Sequence, residues 1–347
     1  MKMWLRLFTV VAALGVFLPM LVLVYMNAWS ISDGPERPIG EAVSRKVHYK
    51  SRDRLNSAGR NPKGLSWRDH IEDMCEEMDI KRYQKMNHRS FNHIIVDKRY
   101  KVLYCQVPKV ACTNWRRMLL ILSGKVDVSD PMLLKANDVH QKYDKHLTYL
   151  SDLTSDEVDY ALRNYFKFFI VREPFERLLS AYRNKFQGQT NSSKFFHTRY
   201  GKNIIRKYRK NATAKSLAHG NDVTFLEFVQ YVVDKNKKET LNEHWCQFFE
   251  LCLPCLIKYD FIGKYHQLET DSKHILDSIG ASSVVKFPSR AASYHHQKTS
   301  DLLQNYYQQI PAHYLERLWE TYYPDFQLFN YSIPSSIRNL TSLWNGS

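Results

Sequence analysis

The chain has 347 residues, 44% of them hydrophobic and 14% aromatic, with only 12 Gly and 12 Pro. That composition excludes a mainly disordered chain and a collagen-like or linker-dominated one. Fifty basic against 35 acidic residues leave a net charge of +15, which suits a polyanionic partner: nucleic acid, anionic lipid or acidic glycan.

At the amino terminus Lys2 and Arg6 precede a stretch, Leu7 to Ser32, without a charged residue. A bilayer-spanning helix needs about 20 apolar residues, whereas the apolar core of a cleaved signal peptide has only about 7–15. The stretch is too long for the second, and Ala28-Trp29-Ser30 is a poor cleavage site. Residues 1–6 are therefore expected to form a cytoplasmic tail and 7–32 an uncleaved signal anchor, with Pro19 tolerated inside the membrane helix. Arg37, Arg45 and Lys46 follow the span closely and blur the positive-inside signal. Five glycosylation sequons lie downstream, at Asn191, Asn211, Asn330, Asn339 and Asn345. Together with the short tail they point to a lumenal body in the secretory pathway, a topology that removes nucleic acid as a partner. Residues 33–64 read as a basic stem without apolar periodicity, and 65–347 as the globular domain.

Two strand–turn–helix units stand out in that domain. Lys101–Val107 is a short β-rich run ended by Pro108, and Trp115–Leu122 then reads as a helix. Ser155–Asn164 predicts another helix, and Tyr165–Val171 a second buried strand. Pro174 stands where a first helical turn begins, ahead of Phe175, Leu178, Leu179 and Tyr182 at helical spacing up to Phe186. Further helices are expected at Thr224–Val233, Leu268–Ile279, Thr299–Gln308 and Pro311–Tyr322. Strands alternating with helices predict an α/β fold with a central parallel sheet flanked by helices.

Ligands of such sheets bind in the loops beyond the strand carboxyl ends. The first of these loops is Pro108, Lys109, Val110, Ala111, Cys112, Thr113 and Asn114. It sets Lys109, Thr113 and Asn114 at a helix amino terminus, where free N–H groups and the helix dipole attract anions. The glycines and Gly-Lys-Ser/Thr ending of an ordinary NTPase loop are missing. The second loop is Arg172, Glu173, Pro174, Phe175, Glu176, Arg177, Leu178, Leu179 and Ser180. Arg172 at the strand end and Ser180 two turns into the helix suit a second phosphate. Arg183 and Lys185 add charge, and Arg177 is expected to pair with Glu173 or Glu176. Two phosphate cradles on neighbouring strands suggest a nucleotide phosphorylated at two separated positions, the anatomy of 3′-phosphoadenylyl sulfate (PAPS).

Cys105–Trp115 and Phe169–Phe186 resemble the Golgi carbohydrate sulfotransferase family that contains the chondroitin and dermatan 4-O-sulfotransferases (sulfotransferase family 2). The likeness continues through Arg199-Tyr-Gly, Asn242-Glu-His-Trp245, Cys252-Leu-Pro-Cys255, Tyr259–Gly263, Leu268–Asp271 and Phe329-Asn-Tyr331. The resemblance implies a P-loop-like sulfotransferase fold preceded by one transmembrane helix. It implies PAPS as donor, with residues 108–114 on its 5′-phosphosulfate and 172–180 on its 3′-phosphate. Lys109 then stabilises the leaving phosphate. The implied acceptor is the 4-hydroxyl of N-acetylgalactosamine in the glycosaminoglycans chondroitin or dermatan, and the implied address is the Golgi membrane, single-pass type II. No metal is implied, and the Cys and His spacings carry no metal pattern. The alternatives are a sulfotransferase for N-acetylgalactosamine or glucuronate ends of glycoprotein glycans, and a noncatalytic glycan-binding protein, which retention of Lys109, Arg172 and Ser180 disfavours.

Sulfate transfer to a sugar needs a base for the hydroxyl proton. His140, in Asn137-Asp-Val-His140, is the first choice, because related sulfotransferases place a catalytic histidine in a comparable stretch. His244 is second, with Glu243 as a base or an orienting carboxylate and Trp245 as a surface for a sugar ring; His146 is a weaker candidate. Arg199–Lys210 holds six basic residues in twelve, interleaved with Tyr200 and Tyr208, a pattern able to hold uronate carboxylates or to form a solvated helix face. Cys252 and Cys255 are expected to be structural, and Cys105 and Cys112 to be buried free thiols.

Overall fold

A computed structural model describes residues 66–340, apart from 85, 87, 238 and 294–296. The expected tail, signal anchor and stem, and the sequon at Asn345, lie outside the described residues. Among those described, no helix is long and apolar enough to cross a membrane.

The described body opens on helix α1, Trp67–Glu77, started by a reciprocal capping box between Ser66 and Asp69. Five strands follow: β1 Ile94–Asp97, β2 Val102–Cys105, β3 Thr148–Tyr149, β4 Phe166–Val171 and β5 Phe261–Lys264. They form one sheet in the order β3-β1-β2-β4-β5. β2, β4 and β5 run parallel, with Leu103 opposite Lys167 and Phe169 opposite Ile262. The other half departs from the expected parallel sheet, since β1 pairs antiparallel with both β2 and β3. The cause is local. β1 and β2 are joined by residues 98–101 alone, ending in left-handed Lys101 (φ 54°), and so short a connection makes a hairpin, never a crossover.

Helices α2 Cys112–Leu122, α3 Ala136–His140, α4 Ser155–Asn164 and α5 Pro174–Lys185 connect the strands. A capping box of Thr154 and Glu157 sets the start of α4. Beyond α5 come α6 Phe225–Val232, α7 Leu268–Ser278 and α8 Ala312–Leu328. α8 runs six residues past the expected end at Tyr322, carrying Pro324 inside it; Asp325, one residue on, is buried and accepts from the Phe248 and Phe249 amides. The helix expected over 299–308 divides into a 3-10 turn at Ser300–Leu302 and a short helix at Leu303–Tyr307.

Aromatic packing fixes the two strand–helix units against each other. Trp115 of α2 meets Phe168 of β4 at 4.6 Å between ring centroids and Tyr104 of β2 at 5.8 Å. Burying each such ring contributes about 1.5–3 kcal/mol.

Two disulfides close the fold, Cys75–Cys255 and Cys105–Cys252. Cys105 is therefore not the free thiol expected from sequence; Cys112 is free but only half-buried. The Cys105–Cys252 bond joins the end of β2 to a segment 147 residues away. A Cys105→Ser, Cys252→Ser variant is expected to lose about 2–5 kcal/mol of stability. Urea unfolding checks this, and an unchanged midpoint would contradict it.

Candidate active site

β2 and β4 are parallel neighbours, so the loops beyond their carboxyl ends lie side by side. The first loop turns without glycine. Lys109 (φ 77°) and Ala111 (φ 67°) both sit in the left-handed region, a conformation that costs an L-residue about 1–2 kcal/mol. Ala111 is the N-cap of α2 and has no side chain to cap it, which leaves that helix end ready for an anion. Burial pushes the Lys109 ammonium down to about 7, with nearby Lys185, Arg172 and Arg177 adding to the effect.

The second loop is arranged in the opposite way. Glu173 caps α5 with its own carboxylate, which accepts from the amides of Phe175 at 3.1 Å and Glu176 at 2.6 Å. That helix end is already capped by the chain, and burial pushes this carboxyl up to about 8. Phe175, Leu178 and Leu179, taken from sequence as part of a binding loop, are core residues, and Pro174 is buried beside them. Ser180 is buried within α5. Arg172 is 5% exposed; it donates to the Lys109 carbonyl at 2.9 Å and to Glu176 at 2.7 Å. Its guanidinium lies 4.3 Å over the ring of Tyr265, the residue after β5, and its Nε is buried without a hydrogen-bond partner. The ends of all three parallel strands thus meet at Arg172.

Arg177 does not pair with Glu173 or Glu176. Only 1% exposed, it donates to the carbonyls of Pro108, Cys246 and Glu243. It ties the first loop to the turn that carries His244, a role invisible in sequence because its acceptors are 66–69 residues away.

The two histidines converge on the first loop. His140 ends α3 with Nε2 2.8 Å from Thr113 Oγ1. Arg116 holds α3 in place, donating to Gln106 Oε1 at 2.9 Å, to the Val139 carbonyl and to the Asp144 carboxylate. His140 is exposed overall, but desolvation of the ring, then the charges of Arg116 and Lys185, push it down to about 4. His244 Nδ1 lies 2.8 Å from Asn242 Oδ1; burial, then Lys185, Lys109 and Arg177, hold this imidazole well below its ordinary range. Glu243 stands between His93 (3.5 Å) and His244 (3.6 Å). Trp245 is no sugar platform: it is fully buried against Phe228, Tyr200 and Phe196. His146 lies in the 3-10 turn Asp144–His146, beside Tyr143.

The basic segment 199–210 is partly consumed by the fold. Lys207 pairs with Asp234, and Arg209 with Asp222 and Glu227. The asparagines of the four described sequons are exposed. Among the described residues no group of three or more His, Cys, Asp or Glu is placed to hold a metal ion.

A family model described as "Sulfotransferase family" matches residues 92–332. The chain is 44% identical over 276 residues to carbohydrate sulfotransferase 11 of Mus musculus, covering 78% of this chain and 76% of that one. It is 44% identical over 247 residues to carbohydrate sulfotransferase 14 of Danio rerio, covering 70% and 63%. With carbohydrate sulfotransferase 8 of Homo sapiens it shares 38% over 249 residues, covering 71% and 57%. No solved structure matches the chain.

Proposed function

The chain belongs to the sulfotransferase family and is a carbohydrate sulfotransferase, and on that premise we propose that it moves sulfate from PAPS to the 4-hydroxyl of N-acetylgalactosamine in chondroitin or dermatan. The observation that carries the donor is the pairing of an uncapped helix start beside half-buried Lys109 with the unpartnered, buried Nε of Arg172. These two anion sites are joined by the Arg172–Lys109 carbonyl bond.

The donor supplies a sulfonyl group on a phosphate leaving group. Residues 108–114 hold its 5′ end, where the Lys109 ammonium stabilises the charge that develops as the leaving group departs. Arg172 holds its 3′-phosphate. His140, neutral at pH 7, takes the sugar hydroxyl's proton on Nε2, the nitrogen that faces the donor loop. The apolar stretch 7–32, the two disulfides and the exposed sequon asparagines support a lumenal catalytic domain anchored in the Golgi membrane as a single-pass type II protein.

Sulfate transfer from PAPS to desulfated chondroitin, desulfated dermatan and glycans ending in N-acetylgalactosamine tests the acceptor. Transfer to the first two supports the proposal; transfer confined to terminal N-acetylgalactosamine contradicts it. Arg172→Ala tests the donor. It should weaken 3′,5′-adenosine diphosphate by the ~1.5–3 kcal/mol of a charge-assisted contact, and change affinity for the 5′-monophosphate little. Equal losses for both nucleotides, read by calorimetry, would remove the 3′-phosphate assignment.

A further inference from the structure

Lys185 is the last residue of α5 and is 7% exposed. Its Nζ donates to Ser192 Oγ at 2.9 Å and sits 4.4 Å over the ring of Phe196. The same ring meets His244 edge-on at 5.1 Å, so the ammonium and that imidazole pack on one aromatic ring. Lys185 also acts electrostatically on Lys109 and on His140. Among the described residues no carboxylate lies within 4.0 Å of its Nζ, and none within that distance of Lys109. A buried ammonium with no carboxylate in contact is costly; Glu243 acts on Lys185 only through space, and half-buried Lys109 carries a second positive charge nearby.

We propose that Lys185 is a second catalytic cation, holding the oxygens of the sulfonyl group during transfer, an inference that rests on PAPS being the donor. The two lysines divide the work by position. Lys109 stands beside Arg172 at the start of α2, on the side of the donor phosphates. Lys185 shares the Phe196 ring with His244, and its charge acts on His140, which places it on the side of the incoming hydroxyl. In the step itself the sugar oxygen forms a bond to sulfur, and its proton passes to His140. The bond between sulfur and the 5′-phosphate oxygen breaks, and its electron pair leaves with the phosphate. Lys185 stays protonated throughout. Phe196 beneath it excludes water from one face, which strengthens the contact with the sulfonyl oxygens.

Three variants test this against a merely structural tie between α5 and the helix Asn191–Phe196. Lys185→Gln should lower kcat about 10²–10³-fold. Its affinity for 3′,5′-adenosine diphosphate, which has no sulfonyl group, should stay within about threefold of the parent. Ser192→Ala should keep kcat within about threefold, because Nζ retains two further donors. A Lys185→Gln kcat near the parent value overturns the proposal, and so does a Ser192→Ala variant that reproduces the loss. If Lys185→Gln no longer binds the nucleotide, Lys185→Arg decides: a rate within about tenfold of the parent supports the cation role, and a rate as low as the glutamine variant's overturns it. Failure of the donor reading shows elsewhere, as a parent protein that does not bind 3′,5′-adenosine diphosphate.

Discussion

Replacing Lys109 with alanine is expected to lower sulfate transfer by about 10²–10³-fold while the protein still folds. The loss corresponds to removing one preorganised charge from the place where negative charge develops. The fold should survive because the backbone at 109 is held independently of the side chain: its carbonyl accepts from Arg172, and alanine meets the same left-handed backbone as lysine. Burial and neighbouring cations bring this ammonium down to about 7. A bound polyanion favours its charged form, so binding takes up a proton as pH rises through 7. Nucleotide affinity should therefore fall more steeply between about pH 6 and 8 in the parent than in Lys109→Ala. A variant rate within threefold of the parent at saturating donor would contradict the role assigned to Lys109.

His140→Ala should lower kcat by about 10²–10⁴-fold and leave nucleotide binding nearly intact. The sign of its pH dependence follows from its surroundings. Desolvation of the ring, then Arg116 and Lys185, push His140 down to about 4, opposed by Asp144, with Arg117 adding to the depression. A bound polyanion offsets those cations and raises the imidazole. The acid limb of kcat, which reports the substrate complex, should then lie at higher pH than the acid limb of kcat/KM for the donor, which reports the free enzyme. The variant should lose the limb in kcat. His244→Ala should instead raise the acceptor KM, in keeping with a ring fixed by Asn242 and packed on Phe196. A rate collapse in His244→Ala with a parent-like His140→Ala would reverse the two roles.

The parts of this site legible in the sequence are those with local signals. Pro174 at the first turn of α5, the apolar runs of β2 and β4, and the lysine at the head of α2 all speak through neighbours within a few residues. β1 escaped notice because it is four residues long and buried on both faces, without alternation. β5 showed only as a motif, since it becomes a strand by pairing with β4, some 90 residues earlier in the chain. Arg177 was misread because nearby carboxylates are visible in sequence and distant carbonyls are not. Glu173 shows the same blindness from the other side. Its charge suggested an ion pair, whereas the geometry of a helix start made it a cap. The disulfide pairing needed the fold, because six cysteines allow fifteen complete pairings.

The most direct measurement of the central claim is the position of the sulfate in the product. The purified protein is incubated with PAPS and desulfated chondroitin, and the polymer is then cut to disaccharides and separated. The account predicts sulfate on the 4-hydroxyl of N-acetylgalactosamine, and none from the Lys109→Ala protein under the same conditions. Sulfate on the 6-hydroxyl or on the uronate, or no sulfate from the parent protein on this polymer or on dermatan, would contradict it.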